Sequence, residues 1–93
     1  MMQRDAIYIG GEWVEANGEG VIEVVNPATE AIIGSVPVGS SSDVDLAVAA
    51  ARRAFPAWSE SAIDVRIEAL NAISAALKER GEELAQLITA EVG

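Results

Sequence analysis

The chain has 93 residues, of which 51% are apolar and only four are aromatic; 6 Lys and Arg stand against 15 Asp and Glu, for a net charge of −9. So acidic a surface repels phosphate backbones and anionic headgroups, so neither nucleic acid nor a membrane surface is an expected partner. There is no cysteine and no histidine, which removes disulfides, thiolate chemistry and the commonest general base and metal ligand.

The first nine residues hold no apolar run of signal-peptide length, and Leu46–Ala51 is far short of the roughly 20 residues of a membrane span. The expectation is a soluble, cytoplasmic chain. Its character changes near residue 40, from short β-type runs broken by Gly, Asn and Pro to almost continuous helical periodicity.

Ala6–Ile9 and Glu12–Val14 flank Gly10-Gly11. Two glycines tolerate the positive φ of a tight turn, which predicts a first hairpin. After the loop Ala16–Gly20, Val21–Val25 is β-branched and strand-like. Asn26-Pro27-Ala28-Thr29-Glu30 is turn chemistry, and Ala31–Val38 is the returning strand of a second hairpin. Gly34 and Pro37 weaken that strand and suggest a bulge or an edge.

Gly39–Ser42 reads as a loop, and Ser42 with Asp45 has the spacing of a helix start, with Asp43 adding charge at the positive dipole end. A first helix is expected from Asp43 to Ala54, ended or kinked at Pro56. Ser61 and Asp64 repeat the start signal. Ile63, Ile67, Leu70, Ile73 and Leu77 then form an apolar stripe, and Gly81 stops or bends the second helix. Glu82–Glu91 resumes the helical period.

Few of these residues carry chemistry. Gly10-Gly11 and Gly18-Glu19-Gly20 open no helix, so they are turns rather than phosphate cradles. Ser40–Ser42 lacks a basic neighbour and faces Asp43 and Asp45, so a loop and cap outweigh an anion site. Arg52-Arg53 beside Phe55 and Trp58 reads as helix surface with aromatic packing. Glu79, Glu82, Glu83 and Glu91 could pair as acid and base or hold a metal, but a solvated helix face is the ordinary reading. Tyr8 and Trp13 read as packing residues.

Taken in order, Tyr8-Ile9-Gly10-Gly11-Glu12-Trp13, Asn26–Glu30, Asp43–Ala51 and Phe55-Pro56-Ala57-Trp58 resemble the N-terminal region of NAD(P)-dependent aldehyde dehydrogenases. Arg66, Leu70, Glu82–Ala85 and Thr89–Gly93 continue the pattern, so the resemblance covers nearly the whole chain. It implies an incomplete α+β fragment: two short hairpins in 1–40, then two to three helices in 41–93, forming part of the cofactor-domain side of that α/β fold.

The family's reaction is oxidation of an aldehyde to a carboxylic acid by a cysteine nucleophile, an asparagine that holds the oxyanion, a glutamate that activates water, and NAD or NADP. All of these belong to the downstream part, so the resemblance assigns no catalytic or cofactor-binding residue here. It also implies the remainder of a parent polypeptide and an aldehyde as partners, and a homo-oligomer when complete. Several members hold Na+ or K+ on backbone carbonyls before the Asn-Pro pair and on an acidic side chain before the helix-ending glycine. The matching positions are Val24, Val25 and Glu91, with a further ligand beyond Gly93. The rival reading is a small acidic interaction module whose hairpins and helices cover one another or a partner.

Overall fold

A computed structural model describes residues 2–93. The two hairpins form where the turn chemistry places them. β2 (Ala6–Ile9) and β3 (Glu12–Glu15) pair antiparallel, with Tyr8 opposite Trp13. Gly10 and Gly11 take φ of 62° and 85°, the two left-handed steps whose twist suits a two-residue hairpin turn. The Tyr8 and Trp13 rings meet edge to face, 5.1 Å between centroids.

β4 (Val21–Val25) and β5 (Ile32–Pro37) form the second hairpin. Asn26 organises its turn: Oδ1 accepts from the amides of Ala28 (2.9 Å) and Thr29 (3.3 Å), and the carbonyl accepts from Glu30 N–H at 2.8 Å. The register passes from Val24 opposite Gly34 to Val25 opposite Ile32, so Ile33 is an extra residue and the returning strand bulges beside Gly34.

The sequence offers no strong sign of the third partner of this sheet. β1 (Met2–Gln3) pairs parallel with β5 at Gly34 and Ser35, giving the order β1-β5-β4. β5 is therefore central at Gly34, which is buried, while Pro37 lies past the β1 pairing, where its missing N–H breaks no ladder.

Three helices follow: α1 (Ser41–Glu60), α2 (Ile63–Glu79) and α3 (Gly81–Val92). Three boundaries differ from the sequence reading. The start of α1 is set by Ser40 and Asp43, which form a reciprocal capping box two residues before the Ser42–Asp45 pair. Both pairs have the same spacing, and the earlier one wins because Asp43 gains extra partners from Asn17. Pro56 lies inside α1 rather than ending it; four residues continue beyond it, with the Ser61 hydroxyl donating back to the Trp58 carbonyl at 2.6 Å. Ser61 thus closes α1 instead of opening α2, whose N-cap, Ala62, has no side-chain cap.

The molecule is a slab of 48 × 34 × 16 Å with a radius of gyration of 16.9 Å; a compact domain of this length has about 12 Å. Its accessible surface is 7290 Å², against about 5,100 Å² for a compact protein of this mass. Among the described residues no hydrophobic side chain is buried, and Asp43 is the one buried polar residue. The stripe Ile63, Ile67, Leu70, Ile73 and Leu77 is exposed along its whole length, as are Phe55 and Trp58. The expected aromatic packing is met at Tyr8 and Trp13 alone.

Candidate functional site

Two places gather polar groups from distant parts of the chain. The first lies where the loop after β3 meets the start of α1. The Asp43 carboxylate accepts from the Asn17 amide (2.9 and 3.1 Å), Asn17 Nδ2 (3.1 Å), the Ser40 amide (2.9 Å) and Ser40 Oγ (3.1 Å). The Ser40 amide does most to hold this carboxyl below the usual carboxylate range; burial opposes it, and the Asn17 amide and side-chain bonds reinforce it. Gly18 follows Asn17 because the loop passes against Val38: a Cβ there would overlap the Val38 carbonyl and stand 2.7 Å from its carbon. This junction is a fastener between sheet and helix. With every carboxylate oxygen occupied by donors of its own chain, it offers no reactive group.

The second place is a cavity of about 70 Å³ between α3 and the β1-β5-β4 sheet. Its lining combines the aliphatic residues Val24, Ile33, Val36 and Leu87 with Gly34 and the polar residues Arg4, Ser35 and Glu91. Position along α3 explains the last of these: Glu83, Leu87 and Glu91 recur every four residues, on one helix face. Arg4 is pinned from two sides. Its amide donates to the Ser35 carbonyl at 3.0 Å, and its guanidinium carbon lies 5.7 Å from the Trp13 ring centroid. At the far end of the stripe Glu83 forms an ion pair with Arg80 at 2.7 Å. The Arg80 side-chain bond, then its charge, lowers the Glu83 pKa, with a smaller contribution from Arg4, against opposing desolvation. The same bond raises the Arg80 pKa.

Of the three positions matched to a monovalent-cation site, Val24 and Glu91 come together on this cavity and Val25 does not line it. No group of three or more Asp, Glu, His or Cys suited to a metal occurs among the described residues, and Glu79 and Glu82 do not line the cavity. Arg4 was missed by sequence reasoning. A lone arginine ahead of a hairpin carries no pattern, and only the parallel pairing of β1 brings it under α3.

The order of elements can now be set beside known proteins. The sequence model of the aldehyde dehydrogenase family matches residues 13–93. The chain belongs to the aldehyde dehydrogenase family. This aldehyde dehydrogenase chain is 46% identical over 86 residues to a 3-succinoylsemialdehyde-pyridine dehydrogenase of a Pseudomonas species, covering 92% of the chain and 18% of that protein. It is 39% identical over 87 residues to the human mitochondrial methylmalonate-semialdehyde/malonate-semialdehyde dehydrogenase, covering 94% and 16% respectively.

Aminoaldehyde dehydrogenase 2 of maize is 46% identical over 95 residues, with 97% of the chain and 19% of that protein covered. The crystal structure of an aldehyde dehydrogenase from Bartonella henselae superposes with a TM-score of 0.92 at 27% identity, over 97% of this chain and 19% of that one. The chain therefore spans about a fifth of the length of the relatives it matches, and its fold is an α+β fragment of theirs. No helix of the described residues is long and apolar enough to cross a membrane.

Proposed function

We propose that residues 1–93 serve as the N-terminal structural segment of an enzyme that oxidises an aldehyde to a carboxylic acid with NAD or NADP. In this reading the segment contributes packing rather than chemistry. The nucleophile, the water-activating glutamate and the cofactor loop belong to a larger partner body of the same polypeptide, and the finished enzyme is a cytoplasmic homo-oligomer. The strands of 1–40 and the helices of 41–93 act as one incomplete domain.

The observation that carries this reading is the surface. The chain exposes about 2,200 Å² more than a compact protein of its mass, and its longest apolar stripe, along α2, is bare. An excess of that size is what obligate interfaces cover, whereas isolated apolar patches on free-standing proteins are usually a few hundred Å². The exposed α2 stripe argues against an interaction module whose helices cover one another, and the family match over residues 13–93 supports a dehydrogenase segment over a module whose helices cover a separate partner. The identity to dehydrogenases named for semialdehydes and aminoaldehydes supports an aldehyde as substrate.

The test compares the complete polypeptide carrying residues 1–93 with the 93-residue chain alone. The complete polypeptide should reduce NAD+ or NADP+ in the presence of an aldehyde and release the acid, and the short chain should do neither while binding a hydrophobic dye. A complete polypeptide without aldehyde-dependent nicotinamide reduction would refute the assignment.

A further inference from the structure

We propose that Asn17-Gly18 is a spontaneous deamidation site held shut by Asp43, so that loss of the Asn17 amide records an opening of the sheet–helix junction and keeps it open. The fastener has no group to offer an outside substrate, but it holds a reactive pair of its own.

An asparagine followed by glycine is prone to attack by its own backbone. The Gly18 nitrogen adds to the side-chain carbonyl carbon of Asn17, forming an N–C bond and a five-membered imide. The bond to Nδ2 breaks, and that nitrogen leaves as ammonia with the proton given up by the Gly18 nitrogen. Water then opens the imide at either carbonyl, leaving an aspartate or a backbone-shifted isoaspartate at position 17. Water is the one co-reactant, and Asn17 is exposed to it. Glycine leaves the attacking nitrogen unshielded and the backbone free to reach the imide geometry. Packing forbids any other residue at 18 without a shift, because a Cβ there would overlap the Val38 carbonyl. The labile pair is therefore a condition of the join.

The same join restrains it. Asn17 donates to Asp43 from its backbone amide at 2.9 and 3.1 Å and from Nδ2 at 3.1 Å. With Nδ2 on Asp43, the side-chain amide is anchored to the first turn of α1 and does not swing onto the Gly18 nitrogen. An intramolecular step depends on that near-attack geometry. Charge acts in the same direction: the attacking nitrogen is anionic, and a carboxylate bonded to the adjoining amide disfavours a second negative charge. Reaction waits for the junction to open.

The product cannot resume the contact. Where Nδ2 donated, a carboxylate oxygen would face Asp43, and two carboxylates sharing one site repel. The isoaspartate form also adds a carbon to the backbone, shifting Gly18 against the Val38 and Gly39 backbone it packs beside. Opening is reversible before the reaction and not after it.

The experiment ages the complete polypeptide in mildly alkaline buffer and follows amide-to-acid conversion at Asn17 by peptide-mapping mass spectrometry, beside a free peptide spanning 14–20. Conversion in the folded protein should be slower by about tenfold or more, the factor that one charge-assisted hydrogen bond supplies. Asp43→Asn keeps the shape but replaces an acceptor oxygen by a donor, and should return the rate towards that of the peptide. Asn71, on α2 and followed by Ala72, should convert no faster in this variant than in wild type. Asn17→Asp, which installs the product directly, should speed hydrogen exchange across 36–42 at neutral pH. Wild-type Asn17 converting as fast as the free peptide would overturn the proposal. So would a folded Asp43→Asn protein that keeps the wild-type rate, an equal acceleration at Asn71, or an Asn17→Asp protein that exchanges as slowly as wild type.

Discussion

Gly18→Ala isolates the junction between sheet and helix with a single methyl group. The added Cβ would overlap the Val38 carbonyl, stand 2.7 Å from its carbon and approach the Gly39 carbonyl carbon at 3.0 Å, where ordinary contact begins near 3.4 Å. Every neighbour is backbone, so no side chain can swing aside, and the loop must retreat by about 0.7 Å or more. The Asn17 amide now sits 2.9 and 3.1 Å from the Asp43 oxygens; a shift of that size opens the shorter bond to about 3.6 Å, past hydrogen-bonding range. The Val38 amide bond to the Gly20 carbonyl, already 3.2 Å, is lost with it.

Overpacking of this kind costs about 1–3 kcal/mol, or about 5–150-fold in the opening equilibrium. Hydrogen exchange read by mass spectrometry on peptides spanning 14–20 and 36–42 should accelerate by that factor, while the β2–β3 turn keeps its protection. Unchanged exchange in both peptides would refute the reasoning, since the methyl would then have found room the structure does not provide.

Three further outcomes are expected. The Asp43 carboxyl has a lowered folded-state pKa, so its contribution is complete above the usual value of 3.8 and fades only as pH falls through the depressed one; protection of the Asn17 amide should be flat from neutrality down to about pH 4, decline below it, and lose that pH dependence in Asp43→Asn. Gly81 opens α3 with nothing within 4 Å of the place an added methyl would take, so Gly81→Ala should stabilise by about 0.4–1 kcal/mol, read as a higher denaturation midpoint of the complete polypeptide. Pro56 lacks the amide that would bond the Arg52 carbonyl inside α1, so Pro56→Ala should strengthen the last turn, by up to about 3 kcal/mol, and slow exchange across 57–60.

Local chemistry made the strands and the existence of the helices readable. Two glycines at a tight turn, a β-branched run and an Asn-Pro turn each act through bonds to near neighbours, so Ala6–Ile9, Val21–Val25 and the turn at Asn26 stand where the sequence puts them. The misplaced start of α1 has a different origin. Ser40–Asp43 and Ser42–Asp45 are equivalent as local signals, and Asn17, 26 residues from Asp43 in sequence, decides between them. Pro56 is another case: its preference is real, but the helix continues one turn past it, closed by Ser61. The candidate cavity was half legible, since Glu91 and Val24 could be named from resemblance, whereas Arg4 enters only through a two-residue parallel pairing that no periodicity can announce.

A slab 16 Å thick has no inside, and that changes what natural selection can see. In a globular domain the identity of a core residue is enforced by its own chain; along α2, Ile63, Ile67, Leu70, Ile73 and Leu77 can be enforced only by a neighbouring surface. A saturation library scored on the 93 residues alone should find these five positions permissive to polar residues, even favouring them for solubility. The same library scored within the whole enzyme should find them among the least tolerant, and the difference between the two maps would trace the footprint of the neighbour residue by residue.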